Sequence, residues 1–239
     1  MGLTDPGKNN SAEDHARRVR DMFARISPRY DLLNHLLSAN VDKRWRRAVV
    51  RKLRTLIPAN ALILDVACGT GDLSIALFEN TGARVIGLDF CRPMLELAAQ
   101  KNRELAFVEA DALRLPFGSG EFDAVSIAFG LRNLSSVESG LSELRRVLKP
   151  QGWVAVLEFS KPIVPGFRAL MATYCTRLLP RIGGIISGSR SAYEYLPDSV
   201  SRFPDQETLA GLMSDAGFDQ VAFENLTGGI AALHTGRRR

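Results

Sequence analysis

The segment Asp65-Val-Ala-Cys-Gly-Thr-Gly-Asp72 sets the topology of the whole chain. It follows the apolar run Ala61-Leu-Ile-Leu64 and precedes the amphipathic run Leu73-Ser-Ile-Ala-Leu-Phe78, so it predicts a strand, a glycine turn and a helix. Gly69 and Gly71 let the backbone approach a ligand closely, because a Cβ at either position would block the turn or the approach. This pattern is typical of proteins that bind a nucleotide-like cofactor.

Acidic residues around the turn indicate which cofactor it binds. Asp72 stands where a dinucleotide would place its pyrophosphate, and a carboxylate there would oppose phosphate binding. S-adenosyl-L-methionine has an ammonium, a sulfonium and no phosphate, so Asp65 and Asp72 would attract it. Asp89 ends the next predicted strand, where a ribose diol binds in either cofactor class. We therefore expect S-adenosyl-L-methionine, with a dinucleotide as the alternative cofactor and an N-cap as the alternative role of Asp72.

Strands and helices alternate along the next hundred residues, which predicts an α/β fold with a parallel sheet and helices on both faces. Further strands are predicted at 84–89, 105–108, 122–128 and 153–158, and an antiparallel pair at 218–224 and 229–234. Ligands of such sheets bind beyond the carboxyl ends of the strands, so Asp111 and the pair Arg132-Asn133 should lie beside the glycine turn. Asp111 would accept a hydrogen bond from an adenine amino group, or serve only as a turn residue.

Composition limits the class of protein. A chain of 239 residues that is 46% hydrophobic can bury one core, and its three cysteines form no CxxC pair, so we expect neither a disulfide framework nor a metal site. We find no apolar run of roughly 18 residues and no signal-peptide core at the start of the chain. The expectation is a soluble or peripheral protein in a reducing compartment.

Basic residues are concentrated in one segment. Residues 17–54 contain twelve Lys or Arg and three Asp, whereas the whole chain has a net charge of +5. This asymmetry predicts an anionic partner, either lipid headgroups or nucleic acid, and solvated helix faces are the alternative.

The sequence also predicts the domain organisation of the chain. We expect a disordered start at 1–16 and a single domain at 17–239. Residues 17–57 predict basic helices that cap the site, and 162–204, rich in glycine and proline, predict an irregular insertion that serves as a substrate lid.

Six segments of the chain resemble motifs of a known protein family. They are Tyr30-Asp-Leu-Leu-Asn34, Asp65 to Asp72, Phe129-Gly-Leu-Arg-Asn133, Leu157-Glu-Phe-Ser-Lys-Pro162, Tyr195-Leu-Pro-Asp-Ser-Val200 and Asn225 to Gly236. Together they resemble the bacterial menaquinone and ubiquinone C-methyltransferase family. The resemblance implies a class I S-adenosylmethionine-dependent methyltransferase, with a Rossmann-like, mostly parallel seven-stranded sheet, N-terminal capping helices and an insertion after strand 5.

The same resemblance implies an activity, the methylation of a ring carbon of a polyprenylated quinol. Demethylmenaquinol is the expected substrate, in the last step of menaquinone biosynthesis. The alternatives are 2-polyprenyl-6-methoxy-1,4-benzoquinol in ubiquinone biosynthesis, an RNA methyltransferase and a non-catalytic donor-binding module. Residues 17–54 offer few aromatic side chains for stacking on bases, so we expect no nucleic-acid partner.

The resemblance also assigns site residues. Donor contacts fall on Thr70, Asp89, Asp111 and Ala112, beside Asp65, Gly69 and Gly71 from the glycine turn. Ala128 stands where the family often has a serine, so a hydroxyl contact is absent there.

Three residues are the candidates for catalysis. Arg132 would stabilise a phenolate at the acceptor, and Asn133 would orient its ring oxygen. Tyr30, or alternatively His35, would relay the phenolic proton. The alternative for Arg132 is a structural salt bridge.

The expected substrate also predicts where the protein works. A polyprenyl tail lies in the bilayer, so we expect a cytoplasmic protein that is peripheral at the inner face of the cell membrane. Its basic helices would contact anionic headgroups transiently. A homodimer stays open as an alternative to a monomer.

Overall fold

The structure, a computed structural model, describes residues 6–38, 40–164 and 190–239. Seven strands form one sheet within these residues. They are β1 (Leu62–Val66), β2 (Arg84–Asp89), β3 (Ala106–Glu109), β4 (Phe122–Ala128), β5 (Leu148–Phe159), β6 (Phe218–Leu226) and β7 (Ala231–Arg238).

The strand order is β3-β2-β1-β4-β5-β7-β6. Strands β1 to β5 run parallel, and β7 pairs antiparallel with both β5 and β6. The central strand β1 is apolar on both faces, since Ile63, Leu64 and Val66 are all fully buried. Apolar residues buried on both faces are typical of a parallel strand with helices on both sides. The expected α/β sheet is therefore confirmed, including its antiparallel pair.

Helices cover both faces of the sheet. They are α1 (Pro6–Ile26), α2 (Tyr30–Leu37), α3 (Val41–Leu56), α4 (Asp72–Thr81), α5 (Arg92–Lys101), α6 (Val137–Val147), α7 (Arg190–Arg202) and α8 (Gln206–Asp215). Alternate strand residues face opposite layers. The face of the sheet that contains Ile63 packs with α3 and α4, whereas the face that contains Leu64 packs with α6 and α8. None of the helices in the described parts of the chain is long and apolar enough to cross a bilayer.

The start of the chain differs from the expected disorder at 1–16, because α1 already begins at Pro6. Val19, Met22 and Ile26 are buried at helical spacing and anchor the end of α1. Extending a packed helix costs little where helix-forming residues precede it, and Ala12 and Ala16 are such residues. Residues 1–5 lie outside the described part.

The insertion is described at its two ends. Residues 162–164 leave β5 and α7 leads towards α8, while 165–189, the interior of the expected lid, lie outside the described residues. The part that bears on the site is α7, which contacts the 3₁₀ turn Leu131–Asn133 after β4.

Candidate active site

A cavity of about 230 Å³ opens at the carboxyl ends of β1, β2 and β4. This is the position at which doubly wound sheets bind their ligands. Six of the residues predicted for the site line it, and they come from five parts of the chain: Tyr30, Gly69, Asp89, Asp111, Ala112 and Asn133. These six predicted residues therefore lie around one cavity, and their contacts with a ligand stay predictions.

Asp89 ends β2 at the wall of the cavity. Its two carboxylate oxygens accept hydrogen bonds from the backbone N–H groups of Gly69, at 2.8 Å, and Cys91, at 2.9 Å. Burial raises the pKa of Asp89 to about 6 although these bonds favour the ionised form. Around neutral pH the group is therefore mainly a carboxylate, which suits it to accept hydrogen bonds from a vicinal diol.

The two glycines of the turn serve different purposes. Gly69 lines the cavity with φ +57°, and a Cβ there would lie 3.9 Å from the Tyr30 ring. Gly71 has φ +81°, and a Cβ there would lie 3.0 Å from the Cβ of Ala98 and 3.3 Å from the Phe107 ring. The first glycine keeps the cavity open, whereas the second lets α4 pack against α5 and β3.

Asp65 lies behind the turn and is not among the described residues that line the cavity. Its side chain accepts hydrogen bonds from Ser74 Oγ at 2.6 Å and Ser126 Oγ at 2.7 Å. Burial raises the pKa of this carboxyl to about 6. The two serines hold the carboxyl between β1, β4 and α4, and a contact of Asp65 with the cofactor stays a prediction.

Asp72 also differs from expectation. It is the first residue of α4 and does not cap it, since Gly71 occupies the N-cap position. Its carboxylate pairs with Arg46 at 2.9 Å and with Lys101 at 2.7 Å. These two cations offset its charge, so Asp72 opposes a phosphate less than the sequence suggested.

Thr70 is buried between α2 and the glycine turn. Its hydroxyl donates a hydrogen bond to Asp31 Oδ1 at 2.5 Å and accepts one from Lys101 Nζ at 3.1 Å. Lys101 also pairs with Asp31 at 2.6 Å. Thr70 thus fixes α2 on the turn, and a contact with the cofactor stays a prediction.

Asp111 and Ala112 line the cavity after the end of β3. Asp111 Oδ1 accepts a hydrogen bond from the backbone N–H of Leu113 at 2.8 Å, so the turn role holds as well. Both interpretations of this residue are compatible with the geometry.

Asn133 and Tyr30 also line the cavity. Asn133 Nδ2 donates to the carbonyl of Phe129 at 3.2 Å, and its Oδ1 accepts from the Tyr195 hydroxyl at 3.1 Å. Burial raises the pKa of Tyr30, which keeps the phenol protonated and suits it as a hydrogen-bond donor. The side chain of His35 lies outside the described part.

Arg132 forms a buried ion pair. Its Nη1 lies 2.7 Å from Glu158 Oε1, and the two side chains are 8% and 1% exposed. The guanidinium also donates to the carbonyl of Phe129 at 2.5 Å and stacks over the Phe159 ring at 5.2 Å. Its Nε is buried without a hydrogen-bond partner among the described residues. The structure thus contains the salt bridge that was the alternative role of Arg132. Direct contact of Arg132 with an acceptor stays a prediction.

Sequence reasoning missed two features of the site around Asn133. Tyr195 was only part of a resembling string, and no spacing rule connects it to Asn133 across 62 residues. Ala67 and Phe129, which follow β1 and β4, have φ of +52° and +58°. Left-handed backbone in residues other than glycine costs about 1 kcal/mol or more and concentrates at functional sites.

Known proteins resemble this chain over nearly its whole length. The model of the ubiE/COQ5 methyltransferase family matches residues 10–238. A demethylmenaquinone methyltransferase from Thermus thermophilus is 50% identical over 91% of this chain and 100% of its own. A ubiquinone/menaquinone biosynthesis C-methyltransferase UbiE from Citrifermentans bemidjiense is 42% identical over 94% of this chain and 98% of its own.

Solved structures agree on the fold. The [4+2]-cyclase SpnF has a TM-score of 0.69 at 19% identity and covers 93% of this chain and 96% of its own. A SAM-dependent methyltransferase from Thermotoga maritima, described as a possible histamine N-methyltransferase, has a TM-score of 0.64 at 18% identity, with coverages of 92% and 99%. The predicted class I, Rossmann-like fold is confirmed.

Proposed function

The chain belongs to the ubiE/COQ5 methyltransferase family, and we propose that it transfers the methyl group of S-adenosyl-L-methionine to a ring carbon of demethylmenaquinol. The product would be menaquinol, at the last step of menaquinone biosynthesis. The observation that carries this proposal is the 50% identity to a demethylmenaquinone methyltransferase over that relative's whole length. Relatives named for ubiquinone as well as menaquinone biosynthesis keep the benzoquinol substrate as a second candidate.

The donor end of the cavity suits S-adenosyl-L-methionine. Asp89 would accept hydrogen bonds from the ribose hydroxyls, and Asp111-Ala112 would contact the adenine. Gly69 would bring backbone close to the amino-acid part, while Phe90 and Met94 give the wall apolar surface. When bound, this donor supplies a methyl group already activated on a sulfonium, so the residues have mainly to position the acceptor carbon in line with it.

The acceptor end would make the quinol a better nucleophile. A ring carbon becomes reactive when the neighbouring phenol loses its proton, and each unit by which the phenol pKa falls is worth about 1.4 kcal/mol. Asn133 would donate a hydrogen bond to the ring oxygen, and Tyr30 would donate one or relay the proton. Arg132 would act from behind the wall, since its positive charge lowers the pKa of Tyr30 against the larger effect of burial.

A methyl-transfer assay tests the proposal. The purified protein is incubated with methyl-labelled S-adenosyl-L-methionine and with reduced or oxidised demethylmenaquinone, and in parallel with the reduced benzoquinone. We expect label in menaquinone only from the reduced naphthoquinone. No transfer to either quinol would reject the function. Asn133→Ala should lower transfer and keep donor affinity, which a non-catalytic donor-binding module would not show.

The surface charge supports a membrane partner for this enzyme. Lys43, Arg44, Arg47, Arg51 and Arg54 are exposed on α3 and lie within an arc of about 100° of the helix. No ion pair involves these five cations within the described residues. Each cation near an anionic bilayer is worth about 1 kcal/mol. We therefore propose that α3 docks on the inner face of the cell membrane, where the polyprenyl substrate lies.

Two exposed apolar residues lie beyond β5, next to a loop that the buried side of α3 contacts. Trp45 Nε1 of α3 donates to Thr227 Oγ1 at 2.9 Å, and the neighbouring Gly228 carbonyl accepts from the N–H of Ile163 at 3.0 Å. Ile163 is 61% exposed, and Val164 beside it is exposed too. Exposed apolar side chains add to the lipid affinity of a protein that also carries a cationic surface.

Liposome sedimentation tests the docking. The triple variant Arg47→Gln, Arg51→Gln and Arg54→Gln should pellet less with anionic liposomes than the wild type. The control variant removes three positive charges elsewhere. It combines Arg84→Gln, Arg103→Gln and Arg114→Gln, and these three arginines are exposed and lie outside α3. Equal binding of the wild type to neutral liposomes in high salt would reject an electrostatic dock.

A further inference from the structure

The Asn133 amide is held between two partners at the acceptor end of the cavity. On one side its Nδ2 lies 3.2 Å from the carbonyl oxygen of Phe129. On the other side its Oδ1 lies 3.1 Å from the hydroxyl of Tyr195. Phe129 precedes Asn133 by one turn, whereas Tyr195 comes from α7, which follows the insertion.

These two partners leave the amide one orientation. A backbone carbonyl only accepts hydrogen bonds, so the NH₂ group of Asn133 must face Phe129 and the oxygen must face Tyr195. The Tyr195 hydroxyl must then donate its hydrogen to Asn133. Burial raises the pKa of Tyr195, so the phenol keeps this hydrogen at neutral pH.

The fixed amide has one N–H left over. Nδ2 carries two hydrogens, and Phe129 accepts one of them. The second has no hydrogen-bond partner among the residues that the structure describes. Because Asn133 lines the cavity, this N–H is available to an acceptor oxygen inside it. In the proposed function, that oxygen is the phenolic oxygen beside the carbon to be methylated.

We propose that Tyr195 is a positioning residue, which orients the Asn133 amide so that its second N–H points to the ring oxygen of the methyl acceptor. The inference rests on the proposed function, and it extends the site to α7. Without the Tyr195 hydroxyl, the amide oxygen loses its donor and the side chain is free to turn, so the N–H reaches the acceptor in only part of the molecules.

A double-mutant cycle tests this role. Tyr195→Phe removes the hydroxyl and keeps the ring. We expect kcat/KM for demethylmenaquinol to fall about 5- to 10-fold, which lies within the range that one lost hydrogen bond covers. The affinity for S-adenosyl-L-methionine and the melting temperature should stay near the wild-type values. In an Asn133→Ala background, Tyr195→Phe should cause no further loss, because the amide that it orients is gone.

Ser199→Ala is the matched control. Ser199 is a buried residue of α7, one turn after Tyr195, and its hydroxyl donates to the carbonyl of Leu196 at 3.0 Å. Its loss should leave kcat/KM unchanged. The inference is overturned if Tyr195→Phe is fully active, or if it lowers kcat/KM equally with and without Asn133. The wild-type assay with demethylmenaquinol tests the proposed function separately, before any variant is compared.

Discussion

Two aspartates at the ends of neighbouring strands are both buried, yet they face different surroundings. Asp89 holds two backbone N–H groups and lines the cavity, whereas Asp65 is held by two serines behind it. Burial raises the pKa of each to about 6. A carboxylate at the wall can bind a ligand, while one behind the wall mainly orders the strands around it.

The raised pKa of Asp65 predicts a pH effect on stability. Its pKa in the unfolded chain is about 4, so the folded state binds more protons between that value and about 6. This contribution to stability is present at low pH and is lost as the pH rises through about 6. Asp65→Asn keeps the shape and cannot ionise. The unfolding free energy of Asp65→Asn relative to wild type should therefore rise by about 1 kcal/mol between about pH 5 and about pH 8, measured with urea.

Asp123 is the control, because its pKa is lowered, whereas that of Asp65 is raised. Burial acts to raise its pKa, but hydrogen bonds from Lys149 Nζ and the Leu62 N–H hold the pKa below its usual value. Asp123 is ionised in both states above about pH 5, so Asp123→Asn should change stability by an amount that does not vary over this range. A flat difference for Asp65→Asn as well would contradict the assignment.

The ion pair of Arg132 with Glu158 predicts an asymmetric cost. Glu158→Gln leaves the guanidinium buried without its counter-charge, which should destabilise the protein by about 3 kcal/mol. Urea unfolding measures this cost. Glu96→Gln breaks the pair with Arg92, in which both side chains are mostly exposed, and should cost less than about 1 kcal/mol. Equal costs for the two variants would show that burial of the Arg132 pair does not matter.

At the scale of elements, the turn between β1 and α4 predicts unequal effects of two glycine substitutions. Gly71 and Gly82 stand at opposite ends of α4, and both have positive φ, at +81° and +70°. Alanine costs about 1 kcal/mol at either position for that reason. At Gly71 the new Cβ would also press on Ala98, whereas at Gly82 no residue that the structure describes lies within 4 Å of the new Cβ. Gly71→Ala should therefore lower the unfolding free energy by at least about 1 kcal/mol more than Gly82→Ala.

The same urea measurement decides this comparison. The additional cost at Gly71 comes from packing between α4 and α5, so it should appear in stability before any ligand is added. If both alanines cost the same, the close approach of the two helices at Gly71 is not what requires a glycine there.

Helix α2 is attached to the turn by charge. Lys101 of α5 bridges Asp31 of α2, at 2.6 Å, and Asp72 of α4, at 2.7 Å, while Thr70 donates to Asp31. Since α2 begins with Tyr30 at the cavity wall, this bridge ties that wall to the glycine turn and to α5. The side chains of Lys101, Asp31 and Asp72 are about a third exposed, so added salt should weaken these ion pairs.

The bridge predicts faster release of the donor when it is broken. Lys101→Met should raise the dissociation rate of S-adenosyl-L-methionine about 3- to 10-fold in stopped-flow experiments, because α2 then opens more easily. Lys149→Met is the control, since that lysine pairs with Asp123 beside the amino end of β1, away from the cavity. A release rate that stays at the wild-type value in Lys101→Met would exclude a closing role for α2.

At the scale of the whole molecule, the sequence predicted what depends on local pattern. Apolar runs separated by helices identified the strands, and the rule for strand ends located Asp89, Asp111 and Asn133 at one edge. Element boundaries were less certain. Strand β5 begins at Leu148, although Lys149-Pro-Gln-Gly152 predicts a break, because Leu148 pairs with Phe122 ahead of a register shift.

The contacts that define the site were beyond local pattern. Glu158 reaches Arg132 across 26 residues, Asp31 reaches Thr70 across 39 and Tyr195 reaches Asn133 across 62. Each of these contacts depends on how strands and helices are arranged in space. A list of residues near the site is therefore predictable from motifs, whereas the partner of each side chain, and with it the role, requires the folded chain.

The most direct test of the account is calorimetric titration of the purified protein with S-adenosyl-L-methionine and, separately, with NAD. We predict saturable binding of S-adenosyl-L-methionine at one site, weakened at least about tenfold in Asp89→Ala, which corresponds to about 1.4 kcal/mol. NAD should give no binding heat. Tight binding of NAD, with none of S-adenosyl-L-methionine, would contradict the account.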